Sequence, residues 1–269
     1  MGRPEQQTGP DARRDAETGG AGRDWEPDEV WIEERQADTP RTTSGGPARV
    51  DGQRADAVHH RRNVPPNVVA ELTRVDPVRG PRLASRLADA THAYDRERYE
   101  EARKILRPIA EEVPDVVAVK ELYGLTLYRS GDWAGAVRQL EGYRTLTGSY
   151  DQHPVLADCY RALHRYPEAE ALWDDLRQAS PDGDLVAEGR IVAAGCRADQ
   201  GDLRGAIVVL ERAAKRVDHP QERHLRQWYA LADLYERAGD VPRARELFGR
   251  VAAADPDAFD VRQRLRALR

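Results

Sequence analysis

A catalytic or metal site would be built from histidines, cysteines or paired acids, and the sequence spaces these residue types poorly for such chemistry. His153 precedes a proline where a helix is expected to begin, which is typical of a helix-boundary residue rather than of a catalyst. His219 and His224 are five residues apart around another proline, so they would not share one helical face and form a poor metal pair. Asp174 and Asp175 are consecutive; on a helix they would point in different directions and could not share a proton.

Three motifs that would signal an enzyme are missing from the sequence. It contains no H-E-x-x-H, no G-x-x-x-x-G-K and no C-x-x-C. We therefore predict no catalytic residue, no metal site and no cofactor. An uncharacterised enzyme is kept only as the weaker alternative.

The composition favours a globular protein that has no membrane segment. Of the 269 residues, 42 are Lys or Arg and 47 are Asp or Glu, which gives a net charge of −5 and no broad positive field to attract nucleic acid. No run of about 18 apolar residues is present, so we predict no membrane-spanning helix. The first ten residues lack the apolar core of a secretory signal, so we expect the protein in the cytoplasm.

Residues 1–64 are rich in glycine, proline and charged residues and lack apolar periodicity, which predicts a disordered tail. Within this tail, residues 24–34 form an acidic motif whose apolar members are Trp25, Val30, Trp31 and Ile32. We interpret it as a linear motif that becomes ordered on a partner or in the protein's own groove. The alternative is a chance cluster with no binding role.

Helices are predicted from residue 65 onward, because apolar residues recur there at spacings of three and four. Prolines and glycines interrupt this pattern at regular intervals, which indicates a repeat. The clearest unit, with a Gly239-Asp240 turn between its two helices, contains Trp228, Leu231, Ala232, Tyr235, Ala244, Phe248 and Pro256. It resembles the tetratricopeptide pattern W-x2-L-G-x2-Y, then A-x3-F, then P, with Ala232 where glycine is usual.

The same register can be followed back through the chain. The small residue of the second helix recurs at spacings of 34, 33, 37 and 38 residues, at Ala102, Ala136, Ala169, Ala206 and Ala244. A bulky residue follows four places later, at Leu106, Leu140, Trp173, Leu210 and Phe248. Glu97-Arg98 and His164-Arg165 replace the Gly-Asp turn in the first and third units, so we expect those two hairpins to be less regular.

The predicted architecture is all-α, a right-handed α-solenoid of about five tetratricopeptide-type hairpins at roughly 83–116, 117–149, 150–183, 187–220 and 225–258. A capping segment with a short helix (65–82) and a C-terminal capping helix (257–269) are expected because the end units of a stack need covers. Cys159 and Cys196 fall at equivalent positions of adjacent repeats. Such positions lie about 10 Å apart, whereas a disulfide needs its Cα atoms within about 7 Å, so we predict two buried thiols.

The resemblance, which is to tetratricopeptide proteins of an actinobacterial cytoplasmic type, implies a non-catalytic scaffold or adaptor. In this family the first helices form a concave face that binds a peptide or protein. The corresponding partner-binding positions are Tyr94, Asp95, Glu121, Tyr128, Arg129, Asp158, Arg161, Tyr229, Asp233 and Arg237. Residues such as Leu87 and Thr91 stand where one branch of the family grips a carboxylate with Lys and Asn, which excludes a chaperone-tail receptor.

An RNA-associated accessory protein is the alternative function. It rests on Arg262, Arg266 and Arg269, which share one face of the last predicted helix. Cations are already favoured at a helix C-terminus by the helix dipole, so this feature has a structural explanation and nucleic acid is disfavoured as a partner. The sequence leaves the identity of the protein partner and self-association open.

Overall fold

The computed structural model describes residues 64–268, and every regular element in this part of the chain is an α-helix. Helix α1 (Pro66–Val75) comes first, five helical hairpins follow, and α12 (Val261–Ala267) comes last. The first helices of the hairpins are α2 (Gly80–Asp95), α4 (Val117–Arg129), α6 (His153–Ala162), α8 (Gly183–Asp199) and α10 (Glu222–Arg237). The second helices are α3 (Tyr99–Glu112), α5 (Trp133–Thr147), α7 (Tyr166–Ala179), α9 (Leu203–Glu211) and α11 (Val241–Ala254).

The hairpins stack in chain order into an α-solenoid. Each second helix packs against its own first helix and against the first helix of the next hairpin. Successive first helices from α2 to α10 also contact one another, so they line one side of the array, which we call the inner face. Helix α1 packs on α2 as a second helix would, and α12 packs on α11 as a sixth first helix would.

The packing follows the predicted register of small and bulky residues. The alanines of the second helices are all buried, at Ala102, Ala136, Ala169, Ala206 and Ala244. The residues four places later are buried as well: Leu106, Leu140, Trp173, Leu210 and Phe248. The two helices of a hairpin approach closely, since a Cβ added at Gly124 would lie 2.6 Å from Cδ2 of Leu140. Small residues at the crossings therefore let the bulky ones interdigitate.

The five turns between first and second helices share one backbone conformation. Each contains a residue with a left-handed φ between 56° and 86°, at Glu97, Gly131, His164, Gly201 and Gly239. The next amide donates to the carbonyl five residues earlier at 2.8–2.9 Å, the Schellman closure of a helix end. The prediction that the first and third hairpins would be less regular is wrong for their turns. The closure uses backbone groups alone, so Glu97 and His164 complete it as glycine does.

The side chain that follows the turn does differ between hairpins. Asp132, Asp202 and Asp240 each accept a hydrogen bond from the backbone N–H three residues later and so cap the second helix. Arg98 and Arg165 take this place in the first and third hairpins, and an arginine has no acceptor with which to cap a helix N-terminus. The departure from the repeat pattern therefore changes the cap and leaves the turn intact.

Both cysteines are buried free thiols, as the register predicted. Burial raises the pKa of Cys159 and of Cys196 well above the ordinary thiol value. The neutral thiol is a poor nucleophile and metal ligand, so both side chains act as packing residues between the third and fourth hairpins.

Candidate binding face

Aromatic side chains flank the turns of the first three hairpins. In each of these hairpins, one ring at the end of the first helix or in the turn meets another ring at the start of the second helix. The pairs are Tyr94–Tyr99, Tyr128–Trp133 and His164–Tyr166, with centroids 5.4, 5.5 and 5.8 Å apart in edge-to-face geometry. We call these six residues the aromatic row. Edge-to-face contact holds each ring in a fixed direction while leaving part of its surface accessible to solvent.

The turn conformation explains why these rings meet. Tyr99, Trp133 and Tyr166 each stand two residues after the left-handed turn residue, at the first position of the second helix. The reversal of the chain therefore brings each ring back toward the end of the first helix. The guanidinium of Arg129 lies 5.1 Å from the centre of the Tyr99 ring and connects the second hairpin to the first.

A different set of contacts joins the first helices of the third and fourth hairpins. Nε of Arg161 donates to Oδ1 of Asp158 at 3.1 Å, and another guanidinium nitrogen donates to Asp199 at 2.8 Å. Only 12% of the Arg161 side chain is exposed, so water screens these interactions weakly. Arg161 thus links α6 to α8 through Asp199, while Asp158 of its own helix holds the guanidinium in place.

Similar pairs continue along the array to α12. They are Asp184–Arg223 at 2.6 Å, Glu188–Arg226 at 2.7 Å and Asp233–Arg264. Together with the two contacts of Arg161 they form what we call the ion-pair ladder. Burial raises the pKa of the Glu188 carboxyl above its ordinary value, although the neighbouring Arg226 acts in the opposite direction. The ladder therefore consists of charges that pair with one another and are partly removed from water, except for the Asp184 side chain, which is 67% exposed.

Comparison with known proteins agrees with this repeat structure. Two family models described as tetratricopeptide repeat match the chain, one over residues 87–150 and the other over residues 197–268. The chain is a tetratricopeptide-repeat protein. A solved structure of a thermophilic tetratricopeptide-repeat protein from Thermus thermophilus is similar, with a TM-score of 0.55 and 19% identity, over 69% of this chain and 98% of that chain. That likeness concerns the fold alone, and no curated protein matches the sequence.

The structure divides the predicted binding residues of this tetratricopeptide-repeat protein between the aromatic row and the ion-pair ladder. Tyr94 and Tyr128 belong to the row, and Asp95 and Arg129 directly follow them at the ends of α2 and α4. Tyr128 also donates its hydroxyl to Oδ2 of Asp158 at 2.9 Å. Tyr128, a predicted binding residue, thus joins the aromatic row to the ion-pair ladder.

Other predicted residues are engaged between adjacent first helices. Asp158 and Arg161 are members of the ladder, and both side chains are largely buried. Glu121 accepts a hydrogen bond from Nε2 of Gln152 at 2.9 Å, which ties α4 to the start of α6. Arg237 is exposed at the end of α10, in the same register as Arg129. Asp158, Arg161 and Glu121 therefore connect neighbouring hairpins, whatever else they bind.

Two predicted residues of the fifth hairpin lie against the C-terminal part of the described chain. The Tyr229 hydroxyl donates to Asp260, and the Tyr229 ring centroid lies 4.6 Å from that of Phe259. Burial, together with Asp260, raises the pKa of Tyr229 well above the ordinary tyrosine value. Asp233 is paired with Arg264 of α12. These contacts attach α12 to the array, and α12 itself begins at Val261, later than the start of the predicted capping helix.

Four members of the aromatic row were not among the predicted binding residues, namely His164 in the third turn and three residues of the second helices. Tyr99, Trp133 and Tyr166 belong to second helices, whereas the family resemblance directs attention to first helices. Their common distance from the turn residue is a signal that the sequence contains. The predicted linear motif, Trp25, Val30, Trp31 and Ile32, lies outside the described residues.

His153, predicted from the sequence to lie at a helix boundary, is the first residue of α6. His153 is buried, and its ring centroid lies 4.8 Å from that of Tyr150, beside a cavity of about 330 Å³. Burial, assisted by Arg144, lowers the pKa of His153. Within residues 64–268, no group of three or more His, Cys, Asp or Glu side chains could hold a metal ion.

Two further findings concern the alternative partners. None of the helices between residues 64 and 268 is long and apolar enough to cross a membrane. On α12, Arg262 pairs with Asp257 at 3.0 Å, which neutralises one of the arginines on which the RNA interpretation rests. Arg269 lies outside the described residues.

Proposed function

We propose that this chain is a non-catalytic scaffold that binds a protein or peptide partner along the aromatic row and the adjoining inner face. Tetratricopeptide repeats generally mediate protein–protein interactions. The observation that supports a site in the first three hairpins is the set of three aromatic pairs in consecutive, equivalent turns. Such a series presents apolar surface at the roughly 10 Å step of the repeat, which suits an extended ligand.

The chemistry of the row indicates what kind of ligand it suits. Tyrosine and tryptophan lose little conformational entropy on binding and offer both apolar area and a hydrogen-bonding group. Arg129 and Asp95 add one charge of each sign at the ends of α4 and α2. We therefore propose a peptide with apolar or aromatic side chains at intervals and charges of both signs between them.

In this proposal the ion-pair ladder positions the hairpins, whereas the row makes most of the contact with the partner. A ligand that displaced Arg161 from its two carboxylates would have to replace both hydrogen bonds, and failure to do so costs about 2 kcal/mol or more. A ligand can cover the solvent-accessible ring surface of the aromatic row without displacing Arg161 from these carboxylates. The predicted residues Tyr94, Asp95, Tyr128 and Arg129 are accordingly the proposed contacts.

The test is affinity capture from the source organism, quantified by mass spectrometry. The intact chain is compared with a Tyr128→Ala, Arg129→Glu double variant and with an Arg138→Glu control, an exposed change on the second helix of the same hairpin. We expect specific partners to be depleted with the double variant and retained with the control. The same partners at the same abundance in all three samples would contradict the proposal.

A further inference from the structure

A groove lies at the C-terminal end of the array, between α11 and α12. Its cavity of about 430 Å³ is lined by Val241, Pro242, Arg245, Glu246 and Leu265. Val241 is 38% exposed and is one of four exposed large aliphatic side chains between residues 64 and 268. In the described residues, no helix covers this groove. It therefore combines an open apolar floor with charged side chains at its edge.

The repeat register shows what the side chain at the position of Arg245 does elsewhere in the array. Arg103 occupies this position in α3, six residues after the turn residue, and pairs at 3.3 Å with Asp132 in the turn of the next hairpin. Glu170 occupies it in α7 and lies near Gln200, beside the following turn. This position thus faces the next hairpin.

Arg245 makes no such contact, since it has no hydrogen-bond or ion-pair partner within residues 64–268. Arg266, which follows the lining residue Leu265 on α12 but does not itself line the groove, is likewise unpaired within the described residues. The carboxylate at the groove, Glu246, is already bonded to Arg250 at 2.6 Å. The groove therefore offers unpaired positive charge next to apolar surface. An acidic occupant would form ion pairs with this charge.

One segment of this chain has the complementary composition. Residues 24–34 contain six carboxylates and no basic residue, together with Trp25, Val30, Trp31 and Ile32. The inner face suits so acidic a segment less well, because the arginines of the ion-pair ladder already have carboxylate partners. Charge complementarity therefore favours the terminal groove over the inner face.

The chain between this segment and the described residues is long enough for the contact. Residues 35–63 comprise 29 residues, which can span up to about 95 Å at roughly 3.3 Å per residue. Five repeat steps of about 10 Å separate α2, the first helix of the first hairpin, from α12, a distance of about 50 Å. The segment can reach the groove of its own chain.

We propose that residues 24–34 dock into the groove between α11 and α12 of the same chain, with Trp25 and Trp31 on the apolar floor and the carboxylates at Arg245 and Arg266. This contact covers the open end of the array and is separate from partner binding at the aromatic row. It needs no external ligand. It can therefore be tested whether or not the proposed scaffold function is correct.

The test uses the full chain labelled with 5-fluorotryptophan and observed by ¹⁹F NMR. The chain has five tryptophans, and Trp25→Phe and Trp31→Phe variants assign the two resonances of the acidic segment. We expect Arg245→Glu, and independently Arg266→Glu, to move those two resonances toward the position of free 5-fluorotryptophan. The resonances of Trp133, Trp173 and Trp228 report on folding and should stay in place.

Arg204→Glu is the matched control, because it reverses an exposed arginine that is unpaired in the described residues, on α9. It should leave all five resonances unchanged. Segment resonances that are identical in the wild type and both groove variants would overturn the proposal. A shift produced by Tyr128→Ala, Arg129→Glu alone would place the segment on the inner face and also overturn it. A particle mass that halves on Arg245→Glu would assign the segment to a second copy, against docking within one chain.

Discussion

The turns of the first three hairpins and the turns of the last two use one repeat register for different purposes. At their turns the first three carry pairs of aromatic rings, whereas the equivalent second-helix positions of the fourth and fifth hairpins hold Leu203 and Val241. From the third hairpin onward, ion pairs such as Glu188–Arg226 join the first helices. The repeat therefore determines the backbone and the core. The residues around the turns and on the inner face differ between hairpins and can serve different functions.

The largest expected effect is on partner affinity. It is tested in both regions at the same register position, the first residue of the second helix. Trp133→Ala should weaken binding by about 2–3 kcal/mol, roughly 30- to 150-fold, because buried aromatic anchors dominate interface energies. Leu203→Ala, the equivalent change in the fourth hairpin, should change the affinity less than about threefold. Titration of a partner recovered by affinity capture gives both values, with circular dichroism to check folding. Equal losses for the two variants would remove the distinction between the regions.

The next effect is on stability and concerns the ladder. Arg226→Met leaves Glu188 without its partner in a site about one-third exposed, so the free energy of unfolding should fall by about 1–2 kcal/mol. Adding Glu188→Met should restore most of the loss, since an apolar pair carries no unpaired charge. Urea denaturation measures both variants. Partner affinity should not change, and an affinity loss as large as that of Trp133→Ala would make the ladder part of the binding site.

The sequence predicted the fold well because the repeat is encoded in the core. Ala102 and Leu106, like their counterparts, are buried where the register placed them, since helix crossings demand small residues beside bulky ones. The ladder could not be predicted. Which acid meets which arginine depends on the offset between adjacent first helices, and Glu188 and Arg226 are 38 residues apart. The regular turn at Glu97 was mispredicted because helix-end closure outweighs the side-chain preference for negative φ.

A smaller effect concerns the turns, which use glycine in the second, fourth and fifth hairpins and a bulkier residue in the first and third. Gly201 has φ 86°, and no atom lies within 4 Å of a Cβ added there, so Gly201→Ala should cost about 1 kcal/mol from backbone strain alone. Gly249→Ala is the matched control, because that glycine lies within α11 with open space around it and ordinary φ. It should gain about 0.5–1 kcal/mol from helix propensity. Thermal or urea unfolding of the pair checks the sign of each change.

The smallest effect is a pH dependence in the ladder. The folded protein holds the Glu188 proton more tightly than the unfolded chain, because burial raises the pKa of this carboxyl. The contribution of Glu188 to stability is therefore highest at low pH and falls as pH rises from the ordinary glutamate pKa, about 4.3, to the raised folded value. Glu188→Gln lacks this decline, so its unfolding free energy relative to wild type should increase across that window. Urea denaturation from about pH 4 to about pH 7 tests it, with Glu111→Gln, an exposed change on α3, as the surface control.

Site-specific photo-crosslinking tests most directly whether the partner binds at the aromatic row. p-Benzoylphenylalanine is placed at position 133 in the aromatic row and, separately, at position 203 in the fourth hairpin, in the full chain expressed in the source organism. Irradiation should give a covalent adduct of one specific partner from position 133 and none from position 203. An adduct of equal yield from position 203, or no adduct from position 133 when the partner still co-purifies, would contradict a binding site at the aromatic row.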